Sequence, residues 1–187
     1  PDQMRKIEEA TERLGFSRIL LMENAGASIA RHVKARFGQL KGLKILVVAG
    51  TGNNGGDGFV AARHLAGYSA TVNILLLGES QNIKTDEASS NWQVIEKMVS
   101  SIKIRKAVDR QAVSSLKPLF DEADVIIDAI FGTGVKGAIR EPHSSAIDLI
   151  NTSKAYRIAV DLPSGLDPLT GLIHDKAVKA DVTITFH

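Results

Sequence analysis

The chain has no cysteine in 187 residues, so disulfides, thiol nucleophiles and cysteine-ligated zinc play no part in its stability or chemistry. That absence fits a reducing compartment, and a cytoplasmic location is the corresponding expectation. Aromatics are sparse, with Trp92 the one tryptophan, and no aromatic platform for single-stranded nucleic acid is visible. A balance of 23 Lys+Arg against 21 Asp+Glu leaves a formal charge of +2, too small to demand nucleic acid or an anionic membrane as partner. No apolar run approaches the ~20 residues of a membrane span. No Gly-Lys-Ser or Gly-Lys-Thr follows a glycine turn, which excludes the Walker phosphate loop. His32, His64, His143, His174 and His187 show no metal-ligand spacing, and His64 reads as a packing residue in a helix.

What is present suits one α/β domain spanning residues 1–187. With 44% hydrophobic residues, a chain of this length hides roughly 70% of its unfolded surface. Met4, Ile7, Ala10 and Leu14 recur at helical spacing up to Gly15, and a second helix runs from an N-cap at Ser17 through Met22, Ala25, Ile29, Val33 and Phe37 to Gly38. Strand-like runs follow at Ile45 to Ala49, Val72 to Leu77, Ile102 to Ile104, Val125 to Ile130, Arg157 to Val160 and Val182 to Phe186. Helical patterns lie between most of them, at Phe59 to Leu65, Asp86 to Val99, Arg110 to Phe120 and Ser144 to Asn151. This alternation predicts a three-layer, doubly wound, Rossmann-like and mostly parallel sheet with two extra N-terminal helices. The basic run Lys103 to Lys106 follows strand alternation and reads as a solvated face.

Lys44 to Phe59 holds five glycines, two asparagines and Asp57 between a buried strand and a helix. Open α/β sheets bind small molecules in such turns. Gly50-x-Gly52-x-x-Gly55 formally matches the dinucleotide fingerprint, but Asp57 would repel a phosphate at the helix N-terminus and better suits a ribose hydroxyl, a cation or water. A plain helix N-cap is the alternative role for Asp57.

Two other strand ends also place an aspartate within an apolar run: Ile126 to Gly134 and Ile158 to Asp167. In the strand order 3-2-1-4-5, the turns after Ala49, Ile130 and Val160 open onto one crevice. Asp128 inside its run needs a partner, either an arginine or backbone amides, or a hard cation shared with Asn53 or Asn54 and Ser164. One carboxylate with neutral oxygens suits a monovalent ion. Asp161 reads either as a turn residue or as a general acid/base. Gly132-Thr-Gly-Val-Lys-Gly137 offers backbone amides and the Lys136 cation to a phosphate.

Leu21-Met-Glu-Asn-Ala-Gly26, Gly52-Asn-Asn-Gly-Gly-Asp-Gly58, Asp128-Ala-Ile-Phe-Gly-Thr-Gly134 and Val160-Asp-Leu-Pro-Ser-Gly-Leu-Asp167 together resemble the YjeF N-terminal domain, the fold of NAD(P)H-hydrate epimerases. The resemblance implies interconversion of R and S forms of NADHX and NADPHX, with Asp161 catalytic. It implies that Asn53, Asn54, Gly55, Gly56, Asp57, Gly132, Thr133, Gly134, Val135, Lys136, Gly137, Ala138 and Asp161 contact the hydrated nucleotide. Asn54, Asp128 and Ser164 would hold a potassium ion. The family domain usually continues beyond the Thr185-Phe186 strand, so a shortened C-terminal end is expected, as is a fused or partner dehydratase. The apolar leading helices suggest a homodimer. Members of this fold also serve as non-catalytic scaffolds, and an ordinary NAD(P)-dependent oxidoreductase is a further rival; that rival would want an acidic residue ending the second strand, where Glu79 is poorly placed.

Overall fold

A computed structural model describes residues 13, 15–132, 137–173 and 175–186. The first helical pattern and residues 133–136 of the second glycine turn lie outside the described residues. Ser17 precedes α1 (Arg18–Phe37), whose Met22, Ala25, Ile29 and Val33 turn inward at helical spacing. Gly38 ends it in a left-handed conformation, its amide donating to the Lys34 carbonyl at 2.9 Å. A Cβ at Gly26 would overlap Val60, so α1 can lie this close to the next helix only because residue 26 lacks a side chain.

The remaining elements are β1 (Lys44–Ala49), α2 (Asn53–Gly67), β2 (Thr71–Leu77), α3 (Asp86–Lys97), β3 (Ile102–Ala107), α4 (Arg110–Ser115), α5 (Lys117–Glu122), β4 (Val125–Ala129), α6 (His143–Thr152), β5 (Tyr156–Val160) and β6 (Val182–Ile184). A 3-10 turn, Ser80–Asn82, precedes α3. The strands pair in the order β3-β2-β1-β4-β5-β6, every pair parallel. This extends the anticipated 3-2-1-4-5 order by one strand.

Alternation along the strands builds two cores. Ile45, Val47, Ile74, Ile127 and Ile158 pack in one layer with Ile29, Phe59 and Trp92, whereas Leu46, Val48, Leu75 and Ile126 pack in the other with Val113, Phe120 and Ile147. With both faces covered, each such side chain contributes about 1.5–3 kcal/mol of apolar burial, which is why the central strands read as unbroken apolar runs. The edge strand β3 turns Lys103, Arg105 and Lys106 out into solvent as the sequence suggested, and at the other edge β6 exposes Thr183.

Several expected boundaries differ, β6 among them, which ends at Ile184 rather than Phe186. The single helix expected over Arg110 to Phe120 is two short helices, broken at Leu116 (φ −95°, ψ 7°), with a proline in the first turn of the second. Pro118 fits an opening turn, where its missing N–H has no intrahelical acceptor to serve, but not the interior of a longer helix. β3 runs three residues beyond Ile104, to Ala107.

Candidate active site at the carboxyl edge of the sheet

The chain leaves β1 to build α2 on its β2 side, and β4 joins β1 from the other side. The crevice outside the carboxyl ends of β1 and β4 is therefore the switch point of the sheet. Its glycine-rich wall is less of a loop than the sequence suggested. α2 starts at Asn53, with Gly52 extended before it, so Asn53, Asn54, Gly55, Gly56, Asp57 and Gly58 are all helical. Close approach explains glycines that each cost a helix about 1 kcal/mol relative to alanine. A Cβ at Gly55 would overlap the Gly50 carbonyl oxygen, one at Gly58 would lie 2.7 Å from Ala129 Cβ, and one at Gly50 would overlap the Ile130 carbonyl oxygen. The N-cap role for Asp57 is corrected accordingly: it is the fifth helical residue, past the reach of a cap.

Asp128 on β4 is fully buried. Its Oδ2 accepts from the Ser164 amide at 2.8 Å, and its Oδ1 accepts from the Ser164 hydroxyl at 2.6 Å and the Ile130 amide at 3.3 Å. Burial holds its carboxyl up at about 6, against the lowering effect of those hydrogen bonds. The partners are hydroxyl and backbone amides, and among the described residues no arginine or lysine pairs with it. Ser164 Oγ in turn accepts from the Phe131 amide at 2.9 Å, stitching the turn after β4 to the turn after β5.

Asp161 follows β5 with φ 66°, a conformation uncommon for residues other than glycine, asparagine and aspartate. It is the centre of a tight turn in which the Leu162 amide donates to the Val160 carbonyl at 2.8 Å, while the Asp161 amide donates to Ile184 of β6 at 2.9 Å. Strain of about 1–3 kcal/mol held in place at a strand end is characteristic of functional positions. A Cβ built at Gly132 would lie 3.5 Å from Asp161 Oδ2 and 3.6 Å from Asn54 Oδ1. The three strand ends thus converge on one small volume beside Gly132. Asn54 is buried, and its Nδ2 has no hydrogen-bond partner among the described residues. Gly137 and Ala138 lie exposed farther along the second glycine turn, and Thr133, Gly134, Val135 and Lys136 fall outside the described residues.

Several contacts around the site had no sequence signal beyond a capping pattern. Thr85 caps α3, accepting from the Ala88 amide at 3.4 Å, and its hydroxyl donates to Asn53 Oδ1 at 2.6 Å. The Lys84 amide donates to Thr51 at 2.9 Å. Phe131 stacks on His143 with ring centroids 4.7 Å apart. Burial keeps the His143 ring below its usual pKa, and the Lys84 charge adds to that effect. His64, expected to be a packing residue, bonds Glu23 of α1 at 2.7 Å, and Arg63 bonds the same carboxylate, clamping α1 to α2.

Residues 19–187 match the family described as YjeF-related protein N-terminus. The NAD(P)H-hydrate epimerase of Nitrosopumilus maritimus is 46% identical over 186 residues, an alignment covering 100% of this chain and 83% of that protein. The enzyme of the same name from Cenarchaeum symbiosum is 49% identical, covering 99% and 82%. The bifunctional NAD(P)H-hydrate repair enzyme Nnr of Pyrobaculum aerophilum is 46% identical over 99% of this chain, which spans 36% of its length. Among solved structures, yeast ynu0 superposes with a TM-score of 0.76 at 28% identity, covering 92% of this chain and 72% of that one.

Proposed function

The chain belongs to the YjeF-related N-terminal family, and from that premise we propose that it is an NAD(P)H-hydrate epimerase, interconverting the R and S forms of NADHX and NADPHX. One observation carries the reading: a Cβ placed on Gly132 would lie within ordinary contact distance of both Asn54 and Asp161, so side chains from three strand ends face one small volume at the switch point. The hydrated ring carries a hydroxyl on C6 beside the ring nitrogen, which makes C6 a hemiaminal carbon. It inverts by loss and return of hydroxide or by ring opening to an aldehyde and reclosure. Either route moves protons and needs no redox partner.

Asp161 is the acid/base of this mechanism. As acid it gives a proton to the departing oxygen, and as base it takes one back when oxygen returns to the other face. In this reading the amides at the start of α2 and the second glycine turn, Gly132 to Ala138, hold the nucleotide, with Asn53 to Asp57 in contact with it. The residues also fit a potassium ion. Asp128 is a buried carboxylate whose described partners are uncharged, and Ser164 Oγ and Asn54 Oδ1 add neutral oxygens, a donor set suited to a monovalent cation. Among the described residues no cluster of three His, Cys, Asp or Glu favours a divalent one. Bound there, the ion supplies a fixed positive charge that offsets the Asp128 carboxylate and orders the turns after β4 and β5.

The bifunctional relatives support a fused or partner dehydratase acting on the same damaged cofactors. Exposed Phe16, Ile19 and Leu20 at the head of α1 support a homodimer through the leading helices. A cytoplasmic site of action, where reduced nicotinamides are used, belongs to the same reading. None of the helices described is long and apolar enough to cross a membrane.

The decisive assay starts from pure S-NADHX. The chain is expected to produce the R form with no change in redox state, and Asp161→Asn to lose about 10²- to 10⁴-fold in kcat while folding normally, because asparagine tolerates the positive φ. Parent-rate epimerisation by Asp161→Asn would remove that residue from the mechanism; oxidation of NADH with some second substrate would replace the reading with an oxidoreductase.

A further inference from the structure

Resting on the epimerase reading, we infer that Lys84 is a substrate-binding and specificity-determining residue, its ammonium holding a phosphate group of the dinucleotide at the rim of the crevice.

Three independent features of its position lead there. First, the segment is tied to the glycine-rich wall at consecutive residues: the Lys84 amide donates to the Thr51 carbonyl at 2.9 Å and the Thr85 hydroxyl donates to Asn53 Oδ1 at 2.6 Å. The β2–α3 connection therefore cannot swing away from the start of α2 without breaking both bonds. Second, the ammonium is uncommitted. Lys84 lies exposed with no ion pair to a described carboxylate, as do Lys34, Lys97 and Lys103, and of these it is the one tied by its backbone to the glycine-rich wall. Third, its charge is felt at His143 across the mouth, and that ring stacks on Phe131, the residue immediately before Gly132. Lys84 is thus held beside the turn after β1 by its own amide, with its charge within electrostatic reach of His143.

Asp86 and Glu87 fill the first turn of α3, so the helix end itself repels an anion and the lysine is the attractive group of this segment. A dinucleotide whose hydrated ring sits at Asp161 extends several ångströms beyond Gly132 and carries its negative charge in the pyrophosphate and, in NADPHX, a 2′-phosphate. Both are phosphate oxygens to an ammonium, and kinetics separates them.

Steady-state epimerisation is measured with NADHX and with NADPHX for wild type, Lys84→Gln and Lys84→Arg. Lys84→Gln is expected to raise KM about tenfold with kcat within twofold, the size of one partly exposed charged hydrogen bond, and Lys84→Arg to restore most of the affinity. A KM effect confined to NADPHX assigns the 2′-phosphate, and an equal effect on both substrates assigns the pyrophosphate. An unchanged KM for both, or a loss confined to kcat, overturns the inference while leaving the epimerase reading intact. A second readout needs no turnover: NADP+ and NAD+ are titrated into wild type and Lys84→Gln while the Thr51 amide and the His143 ring are followed by NMR. Phosphate seated on Lys84 raises the His143 titration midpoint in wild type only; identical shifts in the variant overturn the assignment even if the chain proves to have another activity.

Discussion

Two glycines in the crevice are glycine for different reasons, and substitution separates them. A methyl at Gly132 meets Asp161 Oδ2 and Asn54 Oδ1 at ordinary contact distances, so Gly132→Ala is expected to fold with an almost unchanged Tm. The same methyl fills the volume beside the reacting carboxylate, and kcat/KM should fall by about 10²-fold or more. A methyl at Gly55 has no such room, because it lands on the Gly50 carbonyl oxygen. Alanine's helical advantage of about 1 kcal/mol is outweighed by overpacking of about 1–3 kcal/mol or more against rigid backbone, and Gly55→Ala should lower the Tm by several degrees. Thermal melts and epimerase assays on both variants check the contrast; a Gly132→Ala protein with full activity would show that this volume is not where the ring binds. At this scale the sequence exposed Asp128, Asp161 and Ser164 because polar residues inside apolar runs are costly to bury and stand out. Asn53 with Thr85, and Glu23 with Arg63 and His64, stayed hidden, since nothing local in either segment marks a partner that only packing supplies.

Elements are fixed in register by a device that appears twice. Ala-Asp-Val opens β4 and β6, and in each case the aspartate bonds an amide at the start of the neighbouring strand: Asp124 Oδ2 accepts from Lys44, the first residue of β1, at 2.8 Å, and Asp181 Oδ2 accepts from Arg157, the second residue of β5, at 2.8 Å. Asp181 also receives the Arg157 guanidinium through Nε and an Nη, both at 3.2 Å, and that side chain holds its carboxyl below the usual range. A carboxyl with a lowered folded pKa adds stability that is present above the unfolded value near 3.8 and lost as pH falls through the folded one. Asp181→Asn should therefore cost about 0.5–1 kcal/mol at neutral pH, discounted for its partial exposure, and progressively less below about pH 4. Urea denaturation across pH 3 to 7 measures this, and a difference independent of pH would place the effect in packing. Strand existence was readable from β-branched runs, yet the start of α2 was not. A segment containing Gly55, Gly56 and Gly58 looks like a loop by propensity, and only its close approach to β1, α1 and β4 makes it helix. The break at Leu116 was missed for the opposite reason, because apolar spacing continues across two helices that Pro118 separates.

For the whole molecule, alternating strands and helices sufficed to anticipate a parallel sheet and the meeting of three distant turns, since right-handed crossovers leave few other arrangements. The partners of Asp128 and the left-handed backbone at Asp161 depend on packing across the sheet and were not readable. If a monovalent cation neutralises Asp128, replacing potassium with a bulky organic cation at constant ionic strength should depress epimerisation and loosen the turns that Ser164 ties together. Faster amide exchange at Phe131 and Ser164 is the expected signature; identical rates and exchange in both salts would leave Asp128 as a structural carboxylate held by hydroxyl and amides alone.

The amide of Asp161 is held by the carbonyl of Ile184, a bond spanning 23 positions to the last strand of the sheet. During synthesis the ribosome has released β1, β4 and β5 well before that carbonyl emerges. A nascent chain can therefore assemble most of its crevice and still lack the tether that sets the carboxylate's direction, so the site is completed only when β6 has emerged and paired with β5.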